Sequence, residues 1–359
     1  MDEEGISFTA GKNVFYNPNM KFCRSVSSLA VGVIGGKLSV IDAFCASGIR
    51  GIRYAKENSN VEKLTFLDME SAAIRNAKSN AKKNKLKADA VRDNISRAVF
   101  DLAADFLEID PFGSPAPYTY DSFRVFNPLK LGYLSVTATD VAVLCGGKNR
   151  PCLKNYHSIP LNNEFTHETG MRIMVKKIAE VAAEFNMGIK PLVSFSDRHY
   201  LKSVLEVRRG AELAHETMTS LGYIDYCRHC GYRGTAEFPS RKCPACKKPA
   251  VYAGPLWIGN LQDKKFIKKM IALNKKRDYS QKAEISRMLN LLEGEAGLPP
   301  FYYNIHNLCR MSGNGDIPKS DAFIEDVRKK GYKAVRTHYS NVSIKTNAPI
   351  KVLKSICRK

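Results

Sequence analysis

Four aspartates stand where a sheet would deliver them to one place. Asp42, Asp68, Asp93 and Asp110 lie at or near the ends of the short apolar runs Leu38–Ala43, Val61–Leu67, Ala88–Val91 and Ala104–Ile109. Such runs read as strands, and ligands of parallel sheets bind beyond the strands' carboxyl ends. The last run opens into Asp110-Pro111-Phe112-Gly113-Ser114-Pro115, where two prolines and a glycine stop the strand and forbid an immediate helix. A carboxylate on Asp110, a backbone carbonyl at Pro111 and the ring of Phe112 are then presented together. That set matches an exocyclic base amine: two acceptors for its N–H groups and a flat surface for its ring. The amine lone pair is delocalised, so acceptors on both N–H groups turn it toward a methyl donor, and orientation supplies much of the rest. The carboxylate can also take the departing proton. Phe112 would stack on a base that has left its helix. Taken alone, these residues also fit a proline-stiffened turn with a structural aspartate.

Upstream, Asp42-Ala43-Phe44-Cys45-Ala46-Ser47-Gly48-Ile49-Arg50-Gly51 places small residues between a strand and a helix, so the backbone can pass close to a ligand. Asp68 follows Gly48 at the spacing of an acidic residue that reaches ribose hydroxyls, and Asp93-Asn94 comes next in the order a nucleoside requires. A tight strand-to-helix turn is the alternative. No glycine-rich phosphate loop with its lysine is present, and acidic strand ends disfavour a pyrophosphate. S-adenosylmethionine (SAM), a nucleoside with a sulfonium and no phosphate, suits this crevice better.

A third constellation is Cys227-Arg228-His229-Cys230 with Cys243-Pro244-Ala245-Cys246. Two thiolate pairs on tight turns close a tetrahedral zinc site, structural because four thiolates leave no open position. A redox pair or disulfides are the competing readings. Arg228, Arg233, Arg241, Lys242, Lys247 and Lys248 surround the pairs and point to phosphate. His157, His167, His199 and His306 show no metal spacing.

The alternation of strand and helix from Lys37 onward predicts an α/β fold, a mostly parallel Rossmann-like sheet covered on both faces. Further helices are expected over Glu70–Leu86, His167–Phe185 and near Lys202–Glu216, with strands at Tyr133–Thr137 and Ile189–Phe195. Leu29–Gly36 reads as a buried segment. After Gly254 the pattern becomes helical and lysine-rich over Lys264–Leu292, then Phe301–Met311 and Ala322–Lys330, with a hairpin over Ala334–Thr346. Helices followed by a hairpin resemble a winged helix. The expected organisation is a catalytic domain over residues 1–252, carrying the zinc segment 227–246, and a smaller α+β, winged-helix-like domain over 253–359. With 56 Lys and Arg against 35 Asp and Glu, the net charge of +21 favours a polyanionic partner, nucleic acid first. Met1–Ala10 has no apolar core, no run is long enough to span a membrane, and scattered cysteines fit a reducing compartment. The expected location is the cytoplasm.

Phe15-Tyr16-Asn17-Pro18, the loop Asp42–Gly51, Asp110–Pro115, Thr137-Ala138-Thr139-Asp140 and Arg336-Thr337-His338-Tyr339 together make the chain resemble the tRNA guanine-26 N2-dimethyltransferase family over nearly its whole length. The resemblance implies a class I SAM-dependent methyltransferase sheet, a C-terminal domain peculiar to the family, tRNA as partner and no obligate protein partner. It further implies that Arg24 contacts the methionine carboxylate, Arg50 lies in the cofactor loop, Asp68 binds the ribose, and Asp93 and Asn94 flank the adenine. Asp110 becomes the catalytic carboxylate, and Phe112 with Phe15 would sandwich the guanine. Two positions depart from the broader amino-methyltransferase pattern: Ala46 replaces the first glycine of the loop, and Phe112 stands where adenine and cytosine enzymes usually have a second proline. The competing functions are an amino-methyltransferase acting on another RNA or on DNA, and a noncatalytic zinc-ribbon RNA-binding protein.

Overall fold

The apolar runs assemble into one sheet in the computed structural model, which describes residues 1–127, 129, 131–313 and 317–358. A short hairpin, β1 (Asp2–Glu3) and β2 (Ile6–Ser7), precedes α1 (Lys21–Val33). Every residue from Phe22 to Val31 of α1 is buried; of the segment Leu29–Gly36 expected to be buried, Leu29–Val31 and Ile34 are, whereas Gly35 and Gly36 are exposed where the helix has ended. Strand and helix then alternate: β3 (Leu38–Ala43), α2 (Ile49–Glu57), β4 (Val61–Asp68), α3 (Ser71–Lys83), β5 (Asp89–Arg92), α4 (Ile95–Ala98), β6 (Phe106–Ile109), α5 (Ala116–Ser122) and β7 (Gly132–Ala138). The short helices α6 (Val141–Leu144) and α7 (Asn149–Tyr156) lead to α8 (Thr166–Glu184), then β8 (Met187–Asp197), β9 (Tyr200–Arg209) and α9 (Ala211–Thr219).

The seven strands lie in the order β5-β4-β3-β6-β7-β9-β8. The first five are parallel, and β9 runs antiparallel to both its neighbours. This is the Rossmann-like α/β arrangement, with both faces covered: all seven residues of β7 are buried. One core packs α8 and α5 on one face, and the other packs α1, α2 and α3 on the opposite face. The strand order reverses between β3 and β6, the switch point where a crevice must open. Asp42 and Asp110 stand at the ends of those two strands.

Three expected elements change. The helix expected near Lys202–Glu216 is strand β9 followed by α9, because Lys202 enters the sheet with a buried acidic partner. The long helix expected over Lys264–Leu292 is two, α10 (Lys264–Lys275) and α11 (Lys282–Glu295), and the helix expected from Phe301 begins at Ile305.

Beyond α9, β10 (Leu221–Tyr226), β11 (Arg233–Ala236) and β12 (Val251–Trp257) form a small antiparallel sheet in the order β11-β10-β12. The cysteine pairs occupy the turns between these strands. The expected boundary between residues 252 and 253 falls inside β12. Helices α10 and α11 add Ile267, Met270, Ile285, Leu289 and Leu292 to the core shared with α1 and α2. A separate core begins only with β13 (Tyr303–Asn304), α12 (Ile305–Met311), α13 (Ser320–Lys329), β14 (Ala334–Thr337), β15 (Ser340–Thr346) and α14 (Ile350–Cys357). Two helices followed by a hairpin in a three-stranded sheet, β13-β15-β14, give the α+β, winged-helix-like unit expected from the pattern.

Candidate active site

At the switch point lies a cavity of about 770 Å³, within the roughly 300–1,000 Å³ of small-molecule sites. Asp42, Asp68, Asp93 and Asp110 all line it, as do Phe15, Arg24, Arg50, Asn94, Pro111 and Phe112. Gly48 does not. It caps α2 at φ +74°, and a Cβ there would stand 2.8 Å from the Cβ of Ala77, so its smallness lets α2 approach α3 behind the loop.

The loop itself is held by backbone. Phe44 and Ala46 adopt left-handed φ values of 63° and 45°, a region costly for side-chain-bearing residues. Ala46, at the position of the pattern's first glycine, thus adopts a backbone conformation that glycine reaches without steric cost. Its N–H donates to Asp68 Oδ2 at 3.0 Å, and the Asp68 Oδ1 accepts from Glu70 N at 3.0 Å. Each oxygen retains acceptor capacity on the cavity side. Asp93 and Asn94 sit at the cavity edge with their side chains partly engaged: Asp93 pairs with Arg97 at 2.8 Å, and Asn94 caps α4 through Ser96 N at 2.9 Å. Asp42 is buried, accepts from Gly51 N at 2.9 Å, and burial pushes its carboxyl up to about 7 despite the nearby Arg50.

Asp110 pairs with Arg50, which also stands 3.8 Å from Glu108. Burial acts to raise the Asp110 carboxyl, but Arg50 and then Lys202 outweigh it, and the net shift is downward. The following turn is stapled to the Thr137–Asp140 segment. Gly113 N donates to Thr139 Oγ1 at 2.8 Å, and Thr139 N donates to Gly113 O at 3.0 Å. Behind it, Ser114 donates to the Tyr156 hydroxyl at 2.7 Å, which in turn lies 3.0 Å from the Asp140 carboxylate. The rings of Phe112 and Phe15 meet edge to face at 4.5 Å, although 75% and 51% exposed. The floor of the cavity is therefore rigid and charged, and its mouth is aromatic.

Arg24 is committed more tightly than the sequence implied. It grips Glu3 through Nε at 2.7 Å and Nη2 at 2.5 Å, and Arg53 reaches the same carboxylate at 2.9 Å. Burial alone would raise Glu3, yet the two guanidiniums hold it down to about 2. Tyr16 donates to Glu3 at 2.9 Å, and Arg24 donates to Asn17 O at 3.2 Å, so this cluster fixes the segment bearing Phe15. Glu3 had no signal in the sequence. Arg198, His199 and Tyr200, from the turn between β8 and β9, also line the cavity and had none. Glu108 did have one: it is a charge inside an apolar run.

Cys227, Cys230, Cys243 and Cys246 come together with all four sulfurs within 4.8 Å of one another. Two of the S–S separations are 3.5 and 3.6 Å, close to the about 3.8 Å edge of a tetrahedron with Zn–S bonds of about 2.3 Å. The two turns match: Gly231 N donates to Cys227 O and Lys247 N to Cys243 O, at 2.8 and 2.9 Å. The donor set fits structural zinc. Arg233, expected beside phosphate, is buried instead; it pairs with Glu164, donates to the Tyr302 carbonyl and lies 4.0 Å from the Tyr303 ring centroid. It ties the cysteine segment to the C-terminal unit. Among the described residues no helix is long and apolar enough to cross a membrane.

Comparison with known proteins follows this geometry. A family described as N2,N2-dimethylguanosine tRNA methyltransferase matches residues 1–358. The chain is 33% identical over 360 residues to a tRNA (guanine(26)-N(2))-dimethyltransferase of Methanobrevibacter smithii, covering 96% of this chain and 91% of that one. The enzyme of the same name from Methanothermobacter thermautotrophicus is 35% identical over 353 residues, with 96% and 92% covered. Among solved structures, Trm1 from Pyrococcus horikoshii in complex with S-adenosyl-L-methionine aligns with a TM-score of 0.91 at 30% identity, over 99% of this chain and 98% of that one.

Proposed function

The chain belongs to the N2,N2-dimethylguanosine tRNA methyltransferase family, and from that premise we propose how the strand-end cavity performs the reaction. The protein transfers methyl groups from SAM to the exocyclic N2 of guanine-26 in tRNA, giving mono- and then dimethylguanosine. The observation that carries the assignment of residues is the convergence of Asp110, the Phe15–Phe112 pair and the acidic strand ends on one cavity.

SAM supplies an electrophilic methyl on a sulfonium. Asp68 takes the ribose hydroxyls, Asp93 and Asn94 flank the adenine, and Arg24, fixed by Glu3, is the cation at the methionine end. Asp42, Gly48 and Arg50 shape the loop and its floor. Asp110 accepts one N–H of the guanine amine and then the departing proton, while the Pro111 carbonyl accepts the other. Both acceptors localise the nitrogen lone pair, and the depressed Asp110 carboxyl keeps that acceptor ionised at neutral pH. Phe15 and Phe112 separate and stack on the two faces of the base. The four cysteines hold structural zinc. The catalytic unit includes α10 and α11, the unit from Tyr303 to Cys357 grips tRNA, and the reaction belongs to the cytoplasm with no obligate protein partner.

The test is methyl transfer from labelled SAM to unmodified tRNA and to DNA, with mass spectrometry of the digested product. Asp110→Ala is expected to abolish transfer, by about 10²-fold or more, while tRNA binding is retained. Labelled DNA with inert tRNA, or an active Asp110→Ala, would sink the assignment.

A further inference from the structure

Beneath the cavity floor runs a line of buried charge that the reaction as described leaves unused. Glu108 precedes Asp110 by two residues at the end of β6, so both side chains leave on the same side. Glu108 and Lys202 are each 0% exposed and ion-paired. Lys202 stands on β9, opposite Thr137 of β7, and also donates to Thr137 Oγ1 at 3.0 Å. The second Glu108 oxygen accepts from the Tyr54 hydroxyl at 2.8 Å. Arg50 bridges outward: Nη1 lies 3.8 Å from Glu108, and Nη2 donates to Asp110. Charges thus alternate from Lys202 to Glu108 to Arg50 to Asp110. A buried ion pair is seldom the cheapest way to fill a core, because desolvation offsets much of its attraction. Apolar residues would serve a purely structural role as well.

We propose that Lys202 and Glu108 are positioning residues that fix Arg50, and through it aim the Asp110 carboxylate at the base. Glu108 holds one edge of the guanidinium and leaves the other for Asp110. Asp110 offers about four acceptor sites as a carboxylate; Arg50 occupies one edge and the amine takes another. Without Lys202 and Glu108, Arg50 keeps Asp110 and the Cys23 sulfur, 3.9 and 4.0 Å from its two Nη atoms, but loses the anion behind it, and Asp110 loses its fixed aim. This inference rests on Asp110 being the acceptor for the amine.

The test is the double variant Lys202→Met/Glu108→Gln, which removes both charges together and leaves neither buried alone. SAM affinity and the KM for tRNA are expected to stay at wild-type values. kcat is expected to fall about 10²-fold, the loss that follows a misplacement of about 1 Å. A wild-type kcat overturns the proposal, and so does a loss of SAM binding that accounts for the loss of rate. Should circular dichroism show the double variant unfolded, Tyr54→Phe decides instead. It removes only the hydroxyl donated to Glu108 and is expected to lower kcat by less, with SAM affinity and the KM for tRNA unchanged; a wild-type kcat overturns the proposal. Asp110→Asn separates the two levels. If it methylates normally, the role of Asp110 itself fails; if it is inactive while the double variant is wild-type, only the positioning chain fails.

Discussion

Asp42 lies one residue before the end of β3, beneath the loop from Phe44 to Gly48, where burial pushes its carboxyl up to about 7. Unfolded, an aspartate titrates near about 3.9. Between about pH 4 and 7 the folded chain therefore binds more protons at this position than the unfolded chain. Its contribution to stability falls as pH rises through that window and stays low above it. Asp42→Asn should remove this dependence: denaturant unfolding should find the variant gaining on the wild type from pH 5 to 7.5. A constant difference across that range would contradict the assignment. The neighbouring carboxylates behave in the opposite sense, because cations rather than burial decide them. Glu3, held down to about 2 by Arg24 and Arg53, loses its stabilising contribution only as pH falls below about 4.

The loop from Phe44 to Gly48 shows how the element, rather than any one side chain, shapes the site. Two of its positions have left-handed backbone, but they carry different constraints. Ala46 has its conformation enforced by Asp68, so Ala46→Gly should leave the melting temperature unchanged or raised. Gly48 has both a φ of +74° and Ala77 against it, so Gly48→Ala should cost about 1–3 kcal/mol in thermal unfolding. Equal effects would refute the distinction. The parallel strands β3 to β7 were legible because each is a short apolar run between turns. Strand β9 was not, because Lys202 and Ser203 break its apolar run, and the glutamate that makes the lysine tolerable lies 94 residues away. The same reason hid Glu3 and the turn between β8 and β9. Their places come from packing between distant segments, whereas the aspartates at strand ends follow from local pattern. The split between α10 and α11 had a signal, the weak helix formers Asp278, Tyr279 and Ser280, which the lysine-rich helical pattern on both sides outweighed.

At the scale of the whole chain, the C-terminal unit is joined to the catalytic sheet through buried polar contacts. Glu168 of α8 receives Lys345 at 2.8 Å, Arg172 at 2.8 Å and the Phe301 N–H at 2.9 Å. Glu295 receives the Thr337 hydroxyl at 3.0 Å and both the backbone N–H and Nδ1 of His338, at 2.6 and 2.8 Å. Thr337 and His338 are two of the residues that carried the family resemblance, and they serve the junction. Glu168→Gln leaves Arg172 and Lys345 without their shared anion and should cost about 3–5 kcal/mol in urea unfolding; a loss below 1 kcal/mol would deny the junction its importance. The cysteine segment reinforces the same junction through Arg233. Elemental analysis should find one zinc per chain, and Cys243→Ser should lose it. That variant should also weaken tRNA binding through the loosened C-terminal unit while SAM affinity is kept. Unchanged tRNA binding in the zinc-free variant would separate the segment from that unit.

The edge-to-face contact of Phe15 and Phe112 has a consequence for wasted turnover. Parting the two rings uncovers apolar surface, and water entering the gap does not restore what the rings lose. On the proposed placement of the guanine, a base sliding between them restores it on both faces, because stacking on an aromatic ring contributes about 1–3 kcal/mol. The mouth therefore opens at less cost to a nucleobase than to solvent. Under the proposed mechanism, a methyl donor behind it is kept for the amine, and the enzyme idles without spending its donor when no tRNA is at hand.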